Sequence, residues 1–150
     1  MSDDDLMRAF EAATLPAAEW SHRAHVRVAV TYLRRHDVGE ALNRMRIGIK
    51  KLNAQHYVPE TPLSGYNETT TCAFVHLIAV TLQAYRQTHP TPDADAFCDT
   101  HPQLMTRHVL RLFYSPQRRM DPRAKAEFIE PDLTPLPKLP VGAAVGRDAI

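Results

Sequence analysis

The chain has 150 residues, the size of one domain, and its 44% hydrophobic and 23% charged residues exclude a disordered or fibrous protein. Eighteen Lys and Arg against seventeen Asp and Glu leave a net charge of +1, too small a basic surplus for a protein whose main partner is nucleic acid. Cys72 and Cys98 are too few for a disulfide framework. The acidic opening Met-Ser-Asp-Asp-Asp is unlike a secretory signal, and no apolar run reaches the roughly eighteen residues of a membrane span. The expectation is a cytoplasmic protein with neither nucleic acid nor membrane as partner.

Prolines punctuate the chain and leave two long windows free, Ala17 to Val58 and Leu63 to His89, which hold most of the apolar residues. Ser2 is placed to cap a first helix over about Asp3–Ala13, with acids in its first turn. A second opens at Ser21 and carries Val26, Ala29, Val30 and Leu33 on one stripe, with His22 one turn earlier. The third, from about Val38 to Ala54, sets Val38, Ala41, Leu42, Met45, Ile49 and Leu52 opposite Arg44, Lys50 and Lys51.

A fourth helix, from about Glu68 to Gln87, is apolar nearly all round between Cys72 and Leu82. Only His76 and Thr81 interrupt it, so it belongs in the middle of a bundle. Thr91-Pro92, Ser115-Pro116 and Asp121-Pro122 read as helix starts. Shorter helices are expected over about Pro92–Asp99, Pro102–Phe113 and Pro122–Phe128. Beyond Glu130 the prolines Pro131, Pro135, Pro137 and Pro140, then Gly142 and Gly146, exclude regular helix. The predicted fold is all-α: a single-domain bundle of five to seven helices over 1–130, with a proline-rich extended tail over 131–150.

Trp20-Ser21-His22-Arg23-Ala24-His25 is the densest polar cluster. His22 and His25, at i and i+3, share one helix face, and the positive end of the helix dipole favours neutral imidazoles that accept protons or bind metal. Gly65-Tyr66-Asn67-Glu68 opens the central helix, with Asn67 as N-cap. Glu68 heads the stripe Cys72, Val75, Ala79 and Leu82, a carboxylate at the mouth of a buried face. His76 lies on the most apolar segment, where an imidazole needs a partner. His56 continues the apolar phase of the third helix into the loop up to Pro62, and loops of this kind shape pockets. His36, His89, His101 and His108 fall at helix ends or on partly polar faces and read as structural or solvated. Arg118, Arg119, Arg123 and Lys125 interleave with Asp121, Glu127 and Glu130, as a solvated ion-paired face does. Cys72 reads as a small hydrophobe. There is no HExxH, no phosphate loop and no CxxC.

Two stretches, Trp20-Ser21-His22-Arg23-Ala24-His25 and Gly65-Tyr66-Asn67-Glu68-Thr69-Thr70-Thr71, resemble a family of small uncharacterised bacterial proteins with W-x-H-x-A-H and G-Y-H-E-T-x-T motifs. Phe113-Tyr114-Ser115 and Glu130-Pro131-Asp132-Leu133 are similar to that family as well. The resemblance implies that His22, His25, Tyr66 and Glu68 belong to one site. It carries no activity, and Asn67 stands where the family pattern has histidine.

The leading expectation is a small-molecule enzyme of lyase, isomerase or cyclase type. His25, Glu68 and His22 would do acid–base work, and Tyr66, Asn67, His56, Trp20 and His76 would bind substrate. One alternative is a metal enzyme holding Zn or Fe on His22, His25 and Glu68; the amide at Asn67 disfavours it. The other is a non-catalytic helical binding protein with structural histidines. Its tail, including Pro137-Lys138-Leu139-Pro140, would dock on a partner or on a second copy in a homo-oligomer.

Overall fold

Side-chain caps open each of the long helices. Ser2 accepts from the Asp5 amide at the head of α1 (Asp3–Glu11), and Ser21 from Ala24 at α2 (His22–Arg35). Asp37 accepts from Glu40 at α3 (Val38–Gln55), and Asn67 from Thr70 at α4 (Glu68–Tyr85). Three short helices are α5 (Ala94–Thr100), α6 (Pro116–Arg119) and α7 (Pro122–Ala126), capped by Asp93, Ser115 and Asp121. The computed structural model describes residues 1–139, and these are all-helical, without strands.

Three expected boundaries shift for local reasons. α5 starts at the Asp93 cap, because Asp93 accepts from the Ala96 amide, and not at Thr91-Pro92. The expected helix over Pro102–Phe113 is two 3-10 turns, Pro102–Leu104 and Val109–Leu112. Between them the Thr106 hydroxyl accepts from the His108 amide, a side-chain bond that competes with helical pairing. α7 stops at Ala126, since Glu127 is extended and its carbonyl accepts from the Thr69 hydroxyl. A further 3-10 turn, Ala17–Glu19, leads into α2.

α2 packs against α1, α3, α4 and α5, while α4 also packs on α3 and α7. Phe10, Leu15, Val26, Leu33, Leu52, Ile78 and Phe97 are fully enclosed. α4 buries Ala73, Val75, Leu77, Ile78, Ala79 and Leu82, which spread over more than one side as its apolar sequence requires. Ionic ties orient α2: Arg27 pairs with Asp3 at 2.8 Å, and Arg23 with Asp95 at 2.8 Å and Asp99 at 3.1 Å. The second Asp3 oxygen accepts from the Ala94 amide, joining the starts of α1 and α5. No helix of the described residues is long and apolar enough to cross a membrane.

The tail lies extended over the bundle as far as residue 139. Leu133 N–H donates to the Phe113 carbonyl, and Ser115 donates through its amide and hydroxyl to the Asp132 carboxylate at 2.8 and 2.6 Å. The two family-like segments around Phe113 and Leu133 are therefore paired with each other. Leu136 and Leu139 pack on the core. The rest of the expected tail, 140–150, lies outside the described residues.

Candidate functional site

The start of α2, the middle of α3, the start of α4 and residues 107–119 enclose a cavity of about 520 Å³. Its walls are largely apolar, with Val26, Ala29, Ile49, Phe74, Val75 and Ile78, and no Asp or Glu of the described residues lines it. Trp20, His22, His25, Tyr66 and Asn67 all line it, so the two clusters singled out in the sequence do meet in one place.

Each α2 histidine is anchored through one ring nitrogen. His25 Nδ1 lies 2.8 Å from the Ser21 carbonyl and His22 Nε2 lies 2.8 Å from the Leu104 carbonyl. A carbonyl can only accept, so each of these nitrogens carries the proton, and a neutral ring leaves the other nitrogen a bare acceptor. Burial pushes His25 down to about 4, with His22 and Arg107 adding to the effect, while burial and then Arg107 hold His22 below its ordinary range. Both rings are therefore neutral at pH 7. Among the described residues the buried side-chain polar atom without a partner is Gln83 Oε1. Among the described residues His25 bonds through Nδ1 and not through Nε2, and Nε2 is not one of the buried unpartnered atoms, so it is reached from the cavity that the ring lines.

An aromatic stack fixes the His25 ring. It lies on Trp20 with centroids 3.7 Å apart and planes 28° from parallel, and Trp20 lies on Phe10 at 5.0 Å. Phe10 in turn covers Gly48 of α3, where an added Cβ would sit 2.2 Å from its ring. His22 meets Phe74 of α4 edge-on at 5.1 Å.

Glu68 corrects the expected site. It does not line this cavity but a neighbouring cleft with Arg46, Lys50, Glu60 and Lys125. Arg46 grips it bidentately, Nε to Oε1 at 2.9 Å and Nη2 to Oε2 at 2.6 Å. The Tyr66 hydroxyl donates to Oε1 at 2.6 Å, and the Cys72 thiol to Oε2 at 3.3 Å. These donors, Arg46 foremost, hold Glu68 down at about 2, so it stays ionised and gives up no proton near neutrality. Its role is to tie α3 to the head of α4. Cys72 is pushed up to about 12 by burial and then by the carboxylate, and is no nucleophile.

The metal set His22, His25 and Glu68 falls by the same geometry, because its carboxylate is committed elsewhere. Among the described residues no group of three or more His, Cys, Asp or Glu is arranged to hold a metal ion. Two further assignments are corrected. His56 caps the end of α3 and donates through Nε2 to the Leu15 carbonyl at 2.7 Å, outside the cavity. His76 is half-buried beneath the tail, bonds through Nε2 to the Pro137 carbonyl, and does not line the cavity.

Tyr66 and Asn67 are delivered by a loop that folds around Glu60. The Glu60 carboxylate accepts from the Tyr66 amide at 3.0 Å and from Lys125 at 2.7 Å. Gly65 has φ +92 and leaves no room for a Cβ, which would lie 2.4 Å from that carboxylate. The Tyr66 hydroxyl is spent on Glu68, so its ring forms wall, capped by Lys50 at 4.9 Å on the other side.

Besides apolar and uncharged wall residues, sequence pattern missed four basic side chains that line the cavity: Arg107, His108, Arg111 and Arg119. The face assigned to solvent is mostly as expected, with Arg123 on Asp121, Lys125 on Glu60 and Arg118 on the Glu130 carbonyl. Arg119 is the exception. None of Arg107, Arg111 and Arg119 has an acid three or four residues away, but neither have Arg27 and Arg46, which pair with distant carboxylates, so sequence spacing does not single them out.

No family model, no curated protein and no solved structure matches this chain.

Proposed function

We propose that the chain is a small-molecule enzyme that moves a proton at His25 within the α2–α3–α4 cavity. The observation that carries this reading is His25 itself: a neutral imidazole, oriented by the Ser21 carbonyl and Trp20, with a bare Nε2 open to an apolar cavity. His25 Nε2 takes a proton from a bound substrate and, as imidazolium, returns it to a neighbouring atom of the same molecule. That cycle suits isomerase, lyase or cyclase chemistry and consumes no external reagent. Glu68, expected as its partner, instead holds the wall that Tyr66 forms.

The test is proton exchange in D₂O. A panel of small carbonyl compounds incubated with the protein loses C–H signals in NMR where His25 acts, and His25→Gln abolishes the loss while keeping the helical circular dichroism. Equal exchange by the variant refutes the assignment to His25. Compounds that bind without any exchange refute the catalytic part and leave a binding protein. Unfolding of the variant, supported by unfolding of His25→Ala, assigns the ring a structural role.

A further inference from the structure

Among the described residues Arg8, Arg23, Arg27, Arg35, Arg44, Arg46 and Arg123 each contact a carboxylate, Arg118 bonds the Glu130 carbonyl, and Arg34, which contacts no carboxylate, lies away from the cavity. Arg107, Arg111 and Arg119 have no such partner among the described residues, and all three line the same cavity. No acid of the described residues lines that cavity to offset them. Guanidinium groups gathered at the mouth of one apolar cavity set up a positive field that attracts an incoming anion. A guanidinium fork matches an oxyanion in both geometry and charge.

The rest of the mouth agrees. The head of α4, an 18-residue helix, lines the cavity through Asn67, Thr70 and Thr71, so its positive dipole end adds to the arginines. Asn67 spends its amide oxygen on the Thr70 N–H and keeps its amide nitrogen free to donate. Deeper in, Trp20, Phe74, Val26, Ala29 and Ile78 offer room and contact for a ring-sized apolar body.

We infer that the cavity takes a small organic anion, its carboxylate or phosphate gripped by Arg107, Arg111 and Arg119 and its apolar body laid against Trp20 and Phe74. The inference rests on this cavity being the binding site proposed above, and it names the substrate class. Arg107 also contributes to the field that disfavours protonated His22 and His25. An anion seated on Arg107 screens that field, so the ligand itself makes His25 a better proton acceptor.

The test compares phenylacetate and phenyl phosphate with neutral phenylacetamide, by calorimetry and by the fluorescence of Trp20. The acids are expected to bind at least about ten-fold more tightly than the amide, and less tightly as salt rises. The double variant Arg107→Ala/Arg111→Ala, at two exposed positions, should lower affinity for the acids by about ten-fold or more and leave that for the amide unchanged. Preference for one acid over the other identifies the head group as carboxylate or phosphate. If amide and acids bind equally, or if the double variant binds the acids as well as the parent does, anion recognition is overturned while the cavity stands. If no probe of either charge binds, the cavity reading fails as well. A thermal melt of the double variant confirms that lost binding is not lost folding. As an independent readout, phenylacetate should raise the His25 titration midpoint, followed by ¹⁵N NMR, and phenylacetamide should not.

Discussion

Gly48 lies in the middle of α3 and carries the floor of the aromatic stack, so adding one methyl there tests how the fold holds His25. In Gly48→Ala the new Cβ lies 2.2 Å from Phe10 Cε2 and Cζ. Carbon atoms rest at about 3.5 Å or more, so the ring must retreat by about 1.3 Å. Phe10 is 0% exposed, and Trp20 lies on it at 5.0 Å, so the retreat presses on the ring that orients His25. Overpacking of this kind costs about 1–3 kcal/mol, and full enclosure puts Phe10 in the upper part of that range. Alanine returns about 1 kcal/mol of helix propensity, which leaves a net loss of about 1–2 kcal/mol. With a urea slope of about 2 kcal/mol/M, the unfolding midpoint falls by about 0.5–1 M. Trp20 is the one tryptophan of the chain, so its emission reports both the transition and the altered stack in the native state. Gly39→Ala is the control, since its Cβ meets only Asp37 Oδ1 at 3.6 Å and should leave stability level or raised by less than about 1 kcal/mol. A Gly48→Ala protein as stable as the parent, with unchanged native emission, would refute the claim that α3 supports the site through Phe10.

Two titrations should separate the site from its scaffold. His25 is pushed from an ordinary 6.5 to about 4, so the unfolded chain binds the proton first. Stability from this group is complete above pH 6.5 and declines as pH falls toward 4, by about 3 kcal/mol in all. Urea midpoints at a series of pH values should show this decline, and His25→Gln should flatten it; an unaltered decline in the variant would assign it to other groups. His22 is shifted in the same direction and leaves a residue of the effect. Glu68 is pulled from 4.5 to about 2, so its contribution is complete above pH 4.5 and is lost as pH falls toward 2, by at most about 3 kcal/mol. Glu68→Gln should cost about 2–3 kcal/mol at pH 7, because it leaves the half-buried Arg46 guanidinium without its bidentate partner, and should remove that lower limb. Phenylacetate affinity of Glu68→Gln should match the parent's, since Glu68 does not line the cavity; a ten-fold loss would return the carboxylate to the site.

The helical architecture was legible because its starts are written in local chemistry. Ser2, Ser21, Asp37 and Asn67 cap helices in the structure where the apolar periods begin in the sequence. The errors came where local signals compete. A proline after Thr91 suggested a start that Asp93 supplies two residues later. The Pro102–Phe113 stretch had an adequate helical pattern, yet Thr106 bonds the backbone in its middle and splits it into two turns. That split matters for the site, because it is this segment that brings Arg107, His108 and Arg111 to the cavity.

Helix phase explains why sequence pattern brings His25 to the cavity wall and why it misplaces Glu68. Phase says which residues share a face of one helix; it does not say which neighbour that face meets. Both groups sit in the first turns of helices that pack together, α2 and α4, and the expectation was that they converge. Tyr66 decides otherwise. It lines both the cavity that holds His25 and the cleft that holds Glu68, and its hydroxyl is turned to the carboxylate. A phenol ring thus forms part of the wall between the two groups, and Arg46 takes the carboxylate on the far side. The sequence shows Arg46 as one basic residue among several on α3, with Glu68 22 positions away, so no local spacing reveals the pair. Once the carboxylate is withdrawn, the cavity is left among the described residues with neutral imidazoles and with arginines that contact no carboxylate, and its net field is positive.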